Sequence, residues 1–299
     1  MPARILVIRE GAMGDVLLTT PIVRKLFDDR QGNALIDVVT KHPAVFRNNP
    51  CVHLTLDPKK LASEVRNYDL IIDLDGVYER NPACHIIDAY AFHAFGDVDF
   101  NKQPELFPND EEMRRIQDVV ADIGQPYLVI HKPDHHWRNR NLPMRLWRTL
   151  IDRLLADWPH AIVQIGGPSD TAINGHERLL DHRANYSLQE LQQLIAHSNA
   201  FVGVDAGPSH VAATTNTPMC IFFTSAHHAF RKPLRVGGTF VPVVPNVTCY
   251  GCQASNPPFQ HGQFCRRGDN LCVDSFDFDD AVGKILSLLA TQTHRSPSS

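Results

Sequence analysis

Three short segments of the chain combine acids, cations and glycines in ways that suit phosphate and hydroxyl chemistry. The first is Arg9-Glu10-Gly11-Ala12-Met13-Gly14-Asp15, followed by Val16-Leu17-Leu18-Thr19-Thr20-Pro21. Its glycines permit a tight turn and close backbone approach, and Asp15 projects where a helix would open at the edge of a cleft. A carboxylate there can take a proton from a hydroxyl. On spacing alone, capping the helix is the simpler role. The second segment is Asp205-Ala206-Gly207-Pro208-Ser209-His210. Asp205 can bind hydroxyls or position a base, Gly207 and the amides after it can cradle a diphosphate, and His210 lies one turn into the helix. A plain helix start with a structural histidine fits the same spacing. The third runs from His131-Lys132-Pro133-Asp134-His135-His136-Trp137-Arg138-Asn139-Arg140 into Asn141-Leu142-Pro143. Its cations suit a diphosphate clamp, and a solvated loop is the alternative. Arg145 and Arg148 read as solvated helix positions, and adjacent His135 and His136 point in different directions, which argues against a metal pair.

Each segment falls where a strand ends and a helix begins. Strand and helix signals alternate nearly end to end, the pattern of parallel βαβ units. Ile5–Ile8 is a short apolar run suited to a strand buried on both faces, and Asp15 should open a helix to about Asp28. Strands are expected at Leu35–Thr40, Val52–Leu56 and Leu70–Leu74, with a helix over Cys84–Phe95. The alternation restarts with strands at Tyr127–His131, Ala161–Ile165, Ala200–Val204 and Met219–Phe223. Asn109 should cap one helix, Ser187 with Glu190 forms a capping box for another, and Asp277 should cap the last. In open sheets of this kind, ligands collect at the carboxyl ends of the strands.

The 299 residues suit two domains, expected at 1–115 and 116–299. The second would carry the cysteine-rich stretch 249–272 and the helix 277–290. The net charge of −4 makes a nucleic-acid-coating surface unexpected. No stretch approaches the roughly 18–20 apolar residues of a membrane span, and the N-terminal apolar run is too short for a signal peptide, so a cytoplasmic protein is expected. Of seven cysteines, Cys249, Cys252, Cys265 and Cys272 lie close together. In a reducing compartment they suit a structural zinc or iron site, with four free or partly paired thiols as the alternative.

The ordered set of motifs resembles the heptosyltransferase family, glycosyltransferase family 9. The resemblance rests on Ala12-Met13-Gly14-Asp15 with Thr19-Thr20-Pro21, then Arg140-Asn141-Leu142-Pro143 with Trp147, Gly166-Gly167, and Asp205 to His210. It implies a GT-B fold of two Rossmann-like domains facing a cleft, with the acceptor on the first, the nucleotide sugar on the second, and the final helix packed back across the first. It further implies inverting transfer with no catalytic metal and Asp15 as the base. Arg140 would hold the donor diphosphate, and Asp205, Ala206, Gly207 and His210 would line the donor site. Gly14 and Thr20 would belong to the acceptor or phosphate loop. The donor implied is ADP-heptose-like. The acceptor stays open between a lipopolysaccharide sugar, another glycan and a protein hydroxyl, with peripheral membrane contact conceivable. Ala206 stands where the family carries a hydroxyl, and Thr224-Ser225-Ala226 where many members have Gly-Pro-Thr. Two rivals fit the same residues: a nucleotide-sugar epimerase or hydrolase, and a non-catalytic, metal-stapled nucleotide-sugar-binding protein.

Overall fold

A computed structural model describes residues 2–61, 67–134, 137–254 and 265–290. Strand β1 (Ala3–Ile8) buries Ile5, Leu6, Val7 and Ile8 in succession, as a strand covered on both faces must. It pairs in parallel with β2 (Ala34–Val39) on one side and β4 (Leu70–Asp73) on the other. Strand β3 (Leu54–Leu56) extends the edge, giving the order β3-β2-β1-β4. Helices α1 (Met13–Leu17) and α2 (Thr20–Asp28) run between β1 and β2, and α3 (Val77–Arg80) and α4 (Ile86–Phe95) follow β4.

The single helix expected from Asp15 to Asp28 is two. Pro21 has no N–H to give and its ring clashes with a carbonyl four residues back, here that of Leu17. Thr19 and Thr20 donate instead to the carbonyls of Val16 and Leu17, closing α1 before α2 begins.

The second sheet contains β5 (Tyr127–His131), β6 (Ala161–Ile165), β7 (Leu179–Asp181), β8 (Ala200–Val204), β9 (Met219–Phe222) and β10 (Phe240–Val243). All pair in parallel, in the order β10-β9-β8-β5-β6-β7. Its helices include α5 (Asp110–Ile123), α6 (Met144–Asp157), α7 (Leu188–Ala196), α8 (Gly207–Ala213), α9 (His228–Arg231) and α10 (Phe278–Ala290). The expected capping box of Ser187 with Glu190 is present, and Asn109, expected as a cap, forms one with Glu112.

The boundary expected after residue 115 falls inside α5, which is continuous and packs on α7 of the second half. Helix α10 also departs from expectation. Its apolar face, with Val282, Ile285 and Leu289, packs on α6, β8 and β9. That burial against Trp147, Leu154 and Phe222 attaches it to the second sheet rather than the first. No helix among the described residues is long and apolar enough to cross a membrane.

Candidate active site

Each sheet has one place where the chain reverses the direction in which strands are added: between β1 and β4 in the first, and between β5 and β8 in the second. The loops leaving neighbouring strands there diverge and open a crevice. Both crevices face one cleft of about 490 Å³, lined by residues of the Arg9–Asp15 turn, Tyr78, Arg140, the Asp205–His210 turn and Arg231.

On the first side, Asp15 lies in the first turn of α1, whose N-cap is Ala12 with no side-chain capping bond. The capping role is thus not the one Asp15 plays. Its Oδ2 accepts from Arg9 Nη2 at 2.9 Å and from the Tyr78 hydroxyl at 3.2 Å. Arg9 is buried, only 3% exposed, and also pairs with Glu79 at 3.0 Å and Asp75 at 3.3 Å. Its guanidinium lies over the rings of Tyr78 and Tyr90. Burial works against that charge, but Tyr90, Asp15 and Glu79 outweigh it and hold Arg9 above its ordinary range. Burial, then the charges of Asp15 and Glu79, push the Tyr78 phenol up, so it remains a donor. Gly11 makes room for this arrangement: a Cβ there would stand 2.7 Å from Arg9 Nη2.

On the second side, Arg140 donates through Nη2 to the Asp205 carbonyl at 2.6 Å and to its Oδ2 at 2.9 Å, and its guanidinium lies over Trp137. Ala206 is the N-cap of α8 and offers no side-chain bond. His210 is buried, its Nδ1 has no hydrogen-bond partner among the described residues, and burial lowers its pKa. The two sides nearly touch. A Cβ on Gly14 would lie 3.0 Å from Gly207 Cα, and one on Gly207 would lie 2.7 Å from Met13 Cε. These glycines let the two helix starts abut beneath the cleft.

The structure therefore brings Gly14, Asp15, Arg140, Asp205, Ala206, Gly207 and His210 to one place. Thr20 is not there. It is fully buried, donates to Leu17 and accepts from the Glu105 amide, so it holds the α1–α2 break and the chain packed beside it. His135 and His136 lie outside the described residues.

Sequence reasoning passed over Tyr78, Glu79 and Arg231. The first two follow Asp73 and Asp75 at the end of β4, and the β1–β4 pairing carries them to Asp15. Arg231 had no signal. It sits in α9, lies over the Tyr78 ring at 5.1 Å, and donates to the carbonyls of Cys84 and Phe230. Among the described residues it forms no ion pair with a carboxylate, unlike Arg9 and Arg140.

A second cavity of about 180 Å³ adjoins the cleft and includes His131, Gly166, Gly167, His182 and Tyr186, with Pro208 lining both spaces. Burial pushes the His131 imidazole down to about 4, and its Nδ1 has no partner among the described residues.

Among the described residues none of the four clustered cysteines forms a disulfide. They are near enough to act on one another: burial, then Cys252, Cys265 and Cys249, pushes the Cys272 thiol up to about 12. Among the described residues no group of three or more metal-ligating side chains is assembled for a metal ion. The Cys249–Cys252 turn nevertheless buttresses the cleft. Tyr250 accepts from the His228 amide at 2.8 Å, and Gln253 lines the cleft.

Comparison with known proteins bears on this geometry. The family model described as "Glycosyltransferase family 9 (heptosyltransferase)" matches residues 77–261, more than half of the chain. Lipopolysaccharide heptosyltransferase 3 of Escherichia coli is 46% identical over 135 residues, which is 41% of this chain and 38% of that relative. Among solved structures, E. coli ADP-heptose lps heptosyltransferase II superposes with a TM-score of 0.73 at 15% identity, covering 97% of this chain and 99% of the other. The iron-containing dodecameric glycosyltransferase TibC of enterotoxigenic E. coli also gives 0.73, at 14% identity, covering 98% and 80%. The fold is the GT-B arrangement of two Rossmann-like units.

Proposed function

The chain belongs to glycosyltransferase family 9, the heptosyltransferases, and from that premise we propose that it transfers a sugar from a nucleoside-diphosphate sugar to an acceptor hydroxyl, with inversion. ADP-heptose is the donor put forward and a lipopolysaccharide sugar the acceptor, since the similar proteins are described by those terms. One observation carries the reading: the carboxylate of Asp15 on one sheet and the cation Arg140 on the other converge on a single cleft.

In this mechanism the acceptor hydroxyl attacks the anomeric carbon as the bond to the diphosphate breaks. Oδ2 of Asp15 is already engaged, which leaves Oδ1 to receive the hydroxyl proton. The departing diphosphate gathers charge, and Arg140 and Arg231 are the cations placed to meet it. Gly207 lets the backbone approach closely. The adjoining cavity at His131 and Tyr186 suits the nucleoside, because it opens beside Pro208, next to Gly207. No metal takes part in the chemical step. A cytoplasmic location, with peripheral contact to a membrane carrying the acceptor, belongs to the same proposal.

The test is a panel of nucleotide sugars scored by thermal shift and then by transfer of labelled sugar. ADP-heptose at a hundredfold excess over its Kd should stabilise the protein by about 2.7 kcal/mol, and label should reach an acceptor. Donor epimerised or hydrolysed without an acceptor would favour the first rival. Donor binding with no transfer across a broad acceptor panel would favour the non-catalytic one.

The four thiols would supply the donor set of a tetrahedral zinc or iron staple. It would act on the fold, holding Tyr250 and Gln253 against α9. Metal analysis of protein never exposed to chelator should find close to one equivalent. Less than about a tenth of the single ion such a site holds would leave the alternative of four free or partly paired thiols.

A further inference from the structure

Glu79 is an odd residue to find where it is. Its Oε1 pairs with Arg9, but its Oε2 is buried and has no hydrogen-bond partner among the described residues. A buried, unsatisfied carboxylate oxygen costs stability, and a glutamine would keep the contact to Arg9 without the charge. The cluster holds three carboxylates, Asp15, Asp75 and Glu79, around one guanidinium. A lone arginine beside Asp15 would fix its direction but weaken it as a base, because a neighbouring cation favours the ionised carboxylate. Two further carboxylates on the same cation offset that loss.

We infer that Arg9 and Glu79 are positioning residues for transfer: Arg9 and Tyr78 aim Oδ1 of Asp15 into the cleft, and Glu79, with Asp75, shares the cation so that Asp15 keeps its basicity. The inference rests on the reading of Asp15 as the base. The charged and titratable groups around Asp15 are Arg9, Asp75, Tyr78, Glu79 and Tyr90 from the first half, and Arg140, Asp205, His210 and Arg231 from the second.

The experiment is the pH profile of transfer for two conservative, neighbouring variants, with melting temperatures alongside. Glu79→Gln leaves the charge of Arg9 to fewer carboxylates, so the acid limb of kcat should move to lower pH by about one unit. The plateau should fall roughly threefold as the base weakens. Tyr78→Phe removes a hydrogen bond to the ionised form, so its acid limb should move the opposite way. A structural role alone would lower activity or melting temperature without moving either limb. An unmoved limb in both variants, or movement of both in one direction, overturns the inference. Loss of Glu79→Gln to misfolding leaves the upward shift of Tyr78→Phe as the deciding measurement. Failure of the underlying reading looks different: Asp15→Asn would then retain turnover.

Discussion

Asp15→Asn is expected to lower turnover by roughly 10²–10⁴-fold while leaving donor affinity unchanged. Asparagine has the shape of aspartate, and its amide oxygen can still accept from Arg9 and Tyr78. Its NH₂ group then replaces Oδ1, the atom assigned to take the proton, and a group with no basicity meets the acceptor hydroxyl. The fold should tolerate the change. Arg9 keeps Asp75 and Glu79 as partners, so its buried charge stays paired. The donor is assigned to the opposite sheet, so its Kd should not move. The competing explanation is that Asp15 only helps to neutralise buried Arg9. Under it, a stable variant would keep more than about a third of wild-type turnover, a line set by the expected loss. Turnover measured beside donor binding and a melting curve separates the two.

Much of this site is legible in the sequence because it is local. The turn around Gly14 and the Asp205–His210 turn each sit between an apolar run and a helix start, and the strands and helices around them follow from spacing and capping residues. What is not legible depends on strand order. Arg9 and Glu79 stand 70 positions apart and meet because β1 pairs with β4 across the intervening β2 and β3. A sequence with two more strands between its first and fourth does not reveal which of them lie side by side. The same ignorance misplaced α10. Its apolar face requires a partner, but only the packed structure shows that α6 and β9 supply it. Thr20 failed for another reason. A threonine beside a proline reads equally as a ligand group or as a helix-break bond, and here both of its hydrogen bonds are internal.

Arg140→Ala should weaken donor binding and slow transfer together. The guanidinium has two relationships in the structure: it pairs with Asp205 and it lines the cleft where the diphosphate is assigned. Removing it deletes one charge-assisted contact, worth roughly 1.5–3 kcal/mol, or about a 10- to 150-fold rise in Kd for the donor or for ADP. It also leaves Asp205, 8% exposed, without its cation beside an incoming diphosphate. The repulsion should add to the loss, and it provides an internal check. In Arg140→Ala/Asp205→Asn the unpaired carboxylate is gone, so donor affinity should recover part of the way while the lost contact remains. Transfer should recover less than binding does. Charge on the leaving diphosphate is greatest in the transition state, where a preorganised cation matters most, and neither variant restores one. Calorimetric titration with ADP, paired with kcat for each variant, reads both effects. Wild-type values for Arg140→Ala in both measurements would remove Arg140 from the site. Full recovery of binding and turnover in the double variant would mean that its role is to neutralise Asp205 rather than to hold the diphosphate.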